Sequence, residues 1–353
     1  MFWPETISKR LGIKYPVIQA PMFGVSTSQM TAAASKAGCL GSLALADLSA
    51  DKSIELIRET KKLTDQPFAA NIFVHHIPEI TDRLKEKFIK AKQFITQLAN
   101  DHHLEVTLPD LEDIKVNSYQ EQVDAIIEEG FNVLSFTFGN LDDKSIRKLK
   151  EKGIILIGTC TSAEEALILE KSGIDMICVQ GIEAGGHRGT FDPDNIPMIG
   201  GISLLSEVHD QVTVPLIYAG GIYNGKTLRA AKELGAQGFQ VGSILLASEE
   251  SGMKPFEKER LRSAVEKDII LTKSFSGRYA RGIKNTFIET LENSDYILPY
   301  PYQNKLTNEL RRISKTLQNS DFVSIWAGQS IHDYSHLSTE EILKNLIAGA
   351  EGI

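Results

Sequence analysis

Short apolar runs recur along the chain, and amphipathic segments separate them. The apolar runs Val17–Pro21, Leu40–Leu45, Phe68–Val74, Phe131–Thr137, Ile154–Thr159, Asp175–Gln180, Pro215–Ala219 and Gly238–Gly242 are predicted as strands. Helical periodicity marks Ser28–Ala37, Asp51–Leu63, Tyr119–Glu129, Lys144–Lys152, Ala163–Lys171, Ser203–Asp210 and Gly225–Leu234. Gly38 ends the first of these, and Asp51 or Ala50 stands near the N-cap of the second. Hairpin turn signals are absent between the runs. Strands that alternate with helices in this way predict parallel βαβ units in an α/β protein. Eight such units favour a closed (β/α)8 TIM barrel over an open doubly wound sheet.

Two stretches do not fit the alternation. Residues from about 78 to 118 are charged and helical and are predicted as a helical insertion. Residues 250–353 follow the eighth strand, with a charged helix at Pro255–Lys267, a Pro- and Tyr-rich piece at Leu298–Tyr302 and a helix at Thr339–Ala350. The expected organisation is a barrel over residues 1–249 and, over 250–353, a C-terminal helical extension packed on it.

Composition narrows the function. The chain has 353 residues and a formal net charge of −8, which speaks against a dedicated nucleic-acid or anionic-membrane binder. Its cysteines, Cys39, Cys160 and Cys178, are odd in number and form no C-x-x-C pair, so neither a disulfide framework nor a zinc ribbon is expected. No signal-peptide pattern and no membrane-length apolar run is present, and the expected location is the cytoplasm.

The glycines carry most of the chemical signal. No two of the 27 are spaced G-x-G, which removes the dinucleotide fingerprint. Gly220–Thr227, GGIYNGKT, matches the P-loop pattern, but no later apolar strand ends in a magnesium-binding Asp. The segment reads instead as a barrel turn with Asn224 as a helix N-cap. Two adjacent strand ends, Ala219–Gly220–Gly221 and Gln240–Val241–Gly242–Ser243, suit a phosphate, because glycine lets backbone N–H groups approach an anion. Tight turns chosen for packing are the alternative.

After the sixth strand comes Gln180-Gly181-Ile182-Glu183-Ala184-Gly185-Gly186-His187-Arg188-Gly189. Gly185 and Gly186 put unhindered backbone at the catalytic face, and His187 follows at a strand's C-terminal end. His187 reads as a functional histidine or a loop cap, and Glu183 and Arg188 as its support or as solvated charges. Asn71 and Gln180 are amides at strand ends, suited to a satisfied core position or to the edge of a planar ring. Two amides and a phosphate site together suggest flavin mononucleotide (FMN). His75 and His76 follow the third strand near the mouth. His102 and His103 are expected in solvent, Arg278, Arg281 and Lys284 in surface pairs, and His332 and His336 form a weak metal pair that no third ligand supports.

These motifs resemble the class I nitronate monooxygenases, once called 2-nitropropane dioxygenases. The resemblance runs through YPVIQAPMFGVST (Tyr15–Thr27), AGCLGSL (Ala37–Leu43), ANIF (Ala70–Phe73), FTFG (Phe136–Gly139), GIEAGGHRGTF (Gly181–Phe191), AGGI (Ala219–Ile222) and GAQGFQVGS (Gly235–Ser243). It continues through SGRYARG (Ser276–Gly282), LPYPYQNKLT (Leu298–Thr307) and WAGQS (Trp326–Ser330). It implies an FMN-bearing barrel with contacts at Asn71, Gln180, Gly185, Gly221 and Gln240–Ser243, with Met22 near the ring and His187 catalytic. Ser243 stands where relatives usually have Thr, and Phe23 where many have a small residue. The implied reaction is oxidation of an alkyl nitronate by O2 to a carbonyl compound and nitrite. Propionate 3-nitronate is the usual substrate and detoxification the implied role; the C-terminal stretch helps to form the substrate pocket, and a homodimer is compatible.

Similar loops around EAGGH and AGGI occur in the FMN-dependent enoyl-(acyl-carrier-protein) reductases, which use NAD(P)H. The LPYPYQN and WAGQS segments speak against that reading. A non-catalytic flavin- or phosphate-binding barrel has no need of His187.

Overall fold

Alternation along each strand decides which side chains fill the barrel and which face its helices. The computed structural model describes residues 2–330 and 334–352. In chain order the strands are β1 (Val17–Gln19), β2 (Gly41–Ala46), β3 (Phe68–Phe73), β4 (Val133–Thr137), β5 (Ile155–Cys160), β6 (Met176–Gln180), β7 (Gly186–His187), β8 (Leu216–Ala219), β9 (Gly238–Val241), β10 (Ile269–Thr272) and β11 (Ala280–Ile283). Eight of them form one parallel sheet in the order β1-β9-β8-β6-β5-β4-β3-β2. A parallel bridge between Ile18 and Leu40 joins its two edges, so the sheet closes as the (β/α)8 barrel that the pattern predicts.

The period of two separates two layers. Leu134 and Phe136 of β4, Ile177 and Val179 of β6 and Phe239 of β9 point outward into the core shared with the helices. Val133, Met176, Cys178 and Ile217 fill the interior, where Ile7 and Leu11 of the helix Glu5–Leu11 plug the end at which the strands begin. That plug was not anticipated from the sequence. Further along, the inward positions turn polar: Asn71, Ser135, Thr137 and Gln180 fall on the same parity as the interior residues. The barrel is therefore apolar at one end and hydrogen-bonding at the other, where a site is expected.

The helix Ala50–Lys61 is capped by Ser49, whose side chain accepts from the Lys52 N–H, so Ala50 and Asp51 stand next to the cap as expected. Asn224 does cap Gly225–Glu233, with Thr227 closing a capping box, as a barrel turn requires. The helix Thr339–Glu351 packs in the outer ring between Ser28–Lys36 and Gly225–Glu233. Its Leu343, Leu346 and Ile347 join the main core, and a side chain at Gly225 would overlap the backbone of Gly349.

Between these barrel parts stands a second core. Leu84, Phe88, Ala91 and Ile95 of the helix Asp82–Asp101 pack with Phe275, Phe287, Leu291, Tyr302 and Phe322. The early insertion and the late stretch thus build one cap. β10, β11 and β7 form its small antiparallel sheet, so residues 250–353 carry two strands besides their helices. No described helix is long and apolar enough to cross a membrane.

Candidate active site

Three buried arginines shape the loop that follows β6. Arg188, 1% exposed, donates to Gly181 O at 2.6 Å and Gln180 O at 3.0 Å. Arg281 Nε donates to Ile182 O at 3.0 Å, and Arg278 Nη2 donates to Thr190 O and Phe191 O at 2.5 and 3.3 Å. Surface pairs were expected for Arg278 and Arg281; both are instead buried, because backbone carbonyls of an irregular loop need donors that no strand supplies. Burial lowers the Arg188 and Arg278 guanidinium pKa values to about 10, and both remain cations. Glu183 is not a free charge either: it accepts from Tyr218 Oη and from the Gly201 N–H at the start of the next helix.

His187 is held at the end of this loop. Its Nε2 lies 2.8 Å from Ser276 Oγ, and that hydroxyl donates to Arg278 O at 3.0 Å. With the hydroxyl proton committed, Ser276 accepts from Nε2–H, and Nδ1 is left as the basic atom. The ring is surrounded by Phe138 at 5.6 Å, Trp326 at 5.5 Å and Phe73 at 6.4 Å between centroids. Burial, reinforced by Arg278 and Arg311 and opposed by Asp47, pushes its pKa down to about 3, so the imidazole is neutral at pH 7.

Beyond the aromatic wall lies a charged cluster. The Tyr300 ring meets His75 at 4.6 Å and Phe138 at 5.7 Å. Asp47 pairs with Lys305 at 2.9 Å, and Arg278 stacks on the Phe138 ring at 4.2 Å. Burial lowers the His75 pKa to about 4 and raises that of Tyr300 well above its usual value. Phe138 is also strained, with φ +81° in the left-handed region that a bulky residue avoids.

The barrel supplies the other half of the site. Asn71 Nδ2 donates to Ser135 Oγ at 2.9 Å and Thr137 Oγ1 at 3.4 Å, and among the described residues its Oδ1 accepts from none. Gln180 spends its amide on the histidine loop: Nε2 donates to His187 O at 3.0 Å and Oε1 accepts from Gly189 N at 2.9 Å. The Gln240 amide has no partner among the described residues and stands beside Ala219 and Ile18 in the sheet. Gly220 and Gly221 have φ of +127° and +65°. Among the described residues the N–H groups of Gly221, Gly242 and Ser243 donate to no protein acceptor. Met22 leans on this end, its sulfur 3.4 Å from where a side chain at Gly242 would begin, and Val241 pairs with Gln19. Gly185 lies directly under Gly328. Open N–H donors at the glycine turns would suit a phosphate, and the open Asn71 Oδ1 acceptor and the Gln240 amide would suit the edge of a planar ring, so the residues present fit a phosphate-bearing flavin.

Gln19 was missed, although it is polar in an apolar run just as Asn71 is. Its Oε1 accepts from Ser42 N at 2.8 Å and its Nε2 donates to Ser26 Oγ at 2.8 Å, which shapes the loop carrying Met22. The placement of Ser276, Arg278, Tyr300 and Trp326 depends on the cap, and no local pattern announces it. His332 lies outside the described residues; His336 Nδ1 meets Arg262 Nη2 at 3.0 Å. His102 and His103 are exposed.

Comparison with known proteins gives a consistent result. A family model described as nitronate monooxygenase matches residues 5–349. The chain is 37% identical over 347 residues to a probable nitronate monooxygenase of Staphylococcus saprophyticus, covering 97% of this chain and 96% of that one. The solved nitroalkane oxidase of Streptomyces ansochromogenes is 30% identical with a TM-score of 0.87, covering 98% of each chain. FabK of Thermotoga maritima is 26% identical with a TM-score of 0.73, over 98% of this chain and 96% of that chain.

Proposed function

Because this chain belongs to the nitronate monooxygenase family, a family of flavin-dependent oxidoreductases, we propose that it oxidises alkyl nitronates with O2 to a carbonyl compound and nitrite. FMN is the cofactor in this reading, and His187 the catalytic residue. The observation that carries it is the charge around the aromatic pocket. The Arg278 and Arg311 guanidinium groups act directly on the buried His187 ring, Lys305 pairs with Asp47 beside it, and His75 and His187 are neutral. Guanidinium groups beside a poorly solvated neutral imidazole favour an anionic substrate, such as propionate 3-nitronate.

A nitronate is already a carbanion, so no proton must leave before it is oxidised. His187 then orients the anion and shields it from water together with Phe73, Phe138 and Trp326. With a neutral nitroalkane, Nδ1 of His187 is the base that removes the α-proton. The bound flavin supplies the electron-accepting chemistry. The biological role is removal of a toxic nitronate in the cytoplasm.

The test is nitrite release from propionate 3-nitronate by the purified holoenzyme in air, with flavin bleaching by the same compound under anaerobic conditions. Fast flavin reduction by NADH, with no nitrite from any nitronate, would replace this reading by a nicotinamide-dependent reductase.

A further inference from the structure

We propose that the cap completes the cofactor's phosphate cradle, the Gly328 N–H binding Ser243 Oγ and thereby directing the Ser243 hydroxyl proton to the phosphate. The inference rests on FMN being the cofactor. It makes Gly328 a positioning residue that acts through Ser243.

Gly328 N donates to Ser243 Oγ at 2.9 Å. A serine hydroxyl has one proton and two lone pairs. Gly328 takes a lone pair, and among the described residues no protein acceptor takes the proton. That proton is therefore available beside the open N–H groups of Gly221, Gly242 and Ser243. A hydroxyl that accepts a hydrogen bond is polarised into a stronger donor.

The contact is built in from both sides. Ala327 N donates to Arg281 O at 3.2 Å and Gln329 N to Glu183 O at 3.0 Å, and Trp326 bridges Gly282. Ser330 Oγ donates to Gly221 O at 3.4 Å, so the cap segment 326–330, a strap across the barrel mouth, touches both strand ends of the cradle. Two glycines make the approach possible. A side chain at Gly185 would collide with Gly328 N, and one at Gly328 would stand 3.0 Å from Glu183 O and 3.1 Å from Ser243 Oγ. Gly328→Ala must therefore lift the strap or push the serine aside.

The experiment compares FMN with riboflavin, which has the same ring and no phosphate. Affinities for both are measured by flavin fluorescence on stripped wild type, Gly328→Ala, Ser243→Ala, Ser243→Thr and the Gly328→Ala/Ser243→Ala pair. Both alanine variants are expected to lose FMN affinity roughly ten- to hundredfold, the range of a hydrogen bond to a charged group, with riboflavin affinity nearly unchanged. Ser243→Thr keeps the hydroxyl and is expected to bind FMN like wild type. In the Ser243→Ala background, Gly328→Ala should add little, because its route is gone.

Equal losses on FMN and riboflavin would overturn the proposal, leaving the strap a purely structural contact. A full further loss in the double variant would also overturn it, as would an unchanged FMN preference in Ser243→Ala, a variant that introduces no bulk. If wild type itself does not prefer FMN to riboflavin, the cofactor reading fails instead.

Discussion

The barrel and the cap bury comparable kinds of side chain, yet they are assembled in opposite ways. The barrel core comes from consecutive βα units, each strand pairing with a neighbour close in sequence. The cap core joins the helix Asp82–Asp101 to residues from Phe275 onward, across the body of the barrel sequence. The two regions also divide the chemistry. The barrel offers open N–H groups and amides that suit a cofactor. The cap brings the side chains around His187: Ser276, Arg278, Tyr300 and Trp326. A barrel with its strand ends intact and no cap would keep the open N–H groups and lose the side chains that surround His187.

The largest expected effect tests that division at His187, which the barrel carries and the cap orients. His187→Ala should retain FMN and lose about 10²–10⁴ in kcat/KM on a neutral nitroalkane, about 3–5 kcal/mol of barrier. The matched nitronate should lose less. Steady-state kinetics on both substrates decide this, and equal losses would remove the base role. Ser276→Ala should shift the nitroalkane pH profile while leaving FMN affinity alone.

Next in size is the pH dependence of stability. His187 and His75 have folded pKa values of about 3 and 4, below the unfolded value, so the unfolded chain binds more protons as pH falls below about 6.5. Their contribution is therefore complete above that pH and is lost on the way down, by about 2–4 kcal/mol for the pair at pH 5. Urea titrations at pH 7 and pH 5 measure it, and His75→Asn should flatten the slope. An unchanged slope would mean that His75 is solvated and the cap closes loosely over the barrel.

The Asp47–Lys305 pair links the loop after β2 to the cap helix Tyr302–Leu306. Lys305→Met strands a buried carboxylate and should cost about 2–3 kcal/mol, somewhat under the usual range because Lys305 keeps some solvent. Adding Asp47→Asn should recover part of the loss. Thermal unfolding of the three variants checks this, and full additivity would break the link between the two regions.

The smallest effect lies within the cap. Phe94 and Tyr296 stack at 4.4 Å with an interplanar angle of 17°, one from each cap segment. A double-mutant cycle to alanine should give a coupling of about 0.5–1.5 kcal/mol. A value near zero would mean that the segments fold as separate additions.

The same comparison explains what the sequence makes legible. Each barrel strand carries its own signal, so the runs starting near Val17, Phe68 and Gly238 coincide with observed strands. Asn71 and Gln180 are conspicuous because polar residues interrupt apolar runs. The antiparallel pairing of Ala280 with His187 leaves no local trace, since its partners are far apart and one strand is only two residues long. Arg278 and Arg281 look like surface charges in sequence because their acceptors are loop carbonyls, which no side-chain pattern reveals. Phe138 before Gly139 gives no hint of its left-handed backbone.

The eighth position of the outer ring is filled by Thr339–Glu351, long after the eighth strand. During synthesis on the ribosome, the cap emerges while the ring of helices still has a gap. That gap is flanked by Ser28–Lys36 and Gly225–Glu233, and Trp3 Nε1 and Arg229 reach across to Glu351 and Gly349 once it fills. A nascent chain stalled before Thr339 would expose a greasy slot for a chaperone or protease to find. A helix made long after both of its ring neighbours is thus the one that closes the ring.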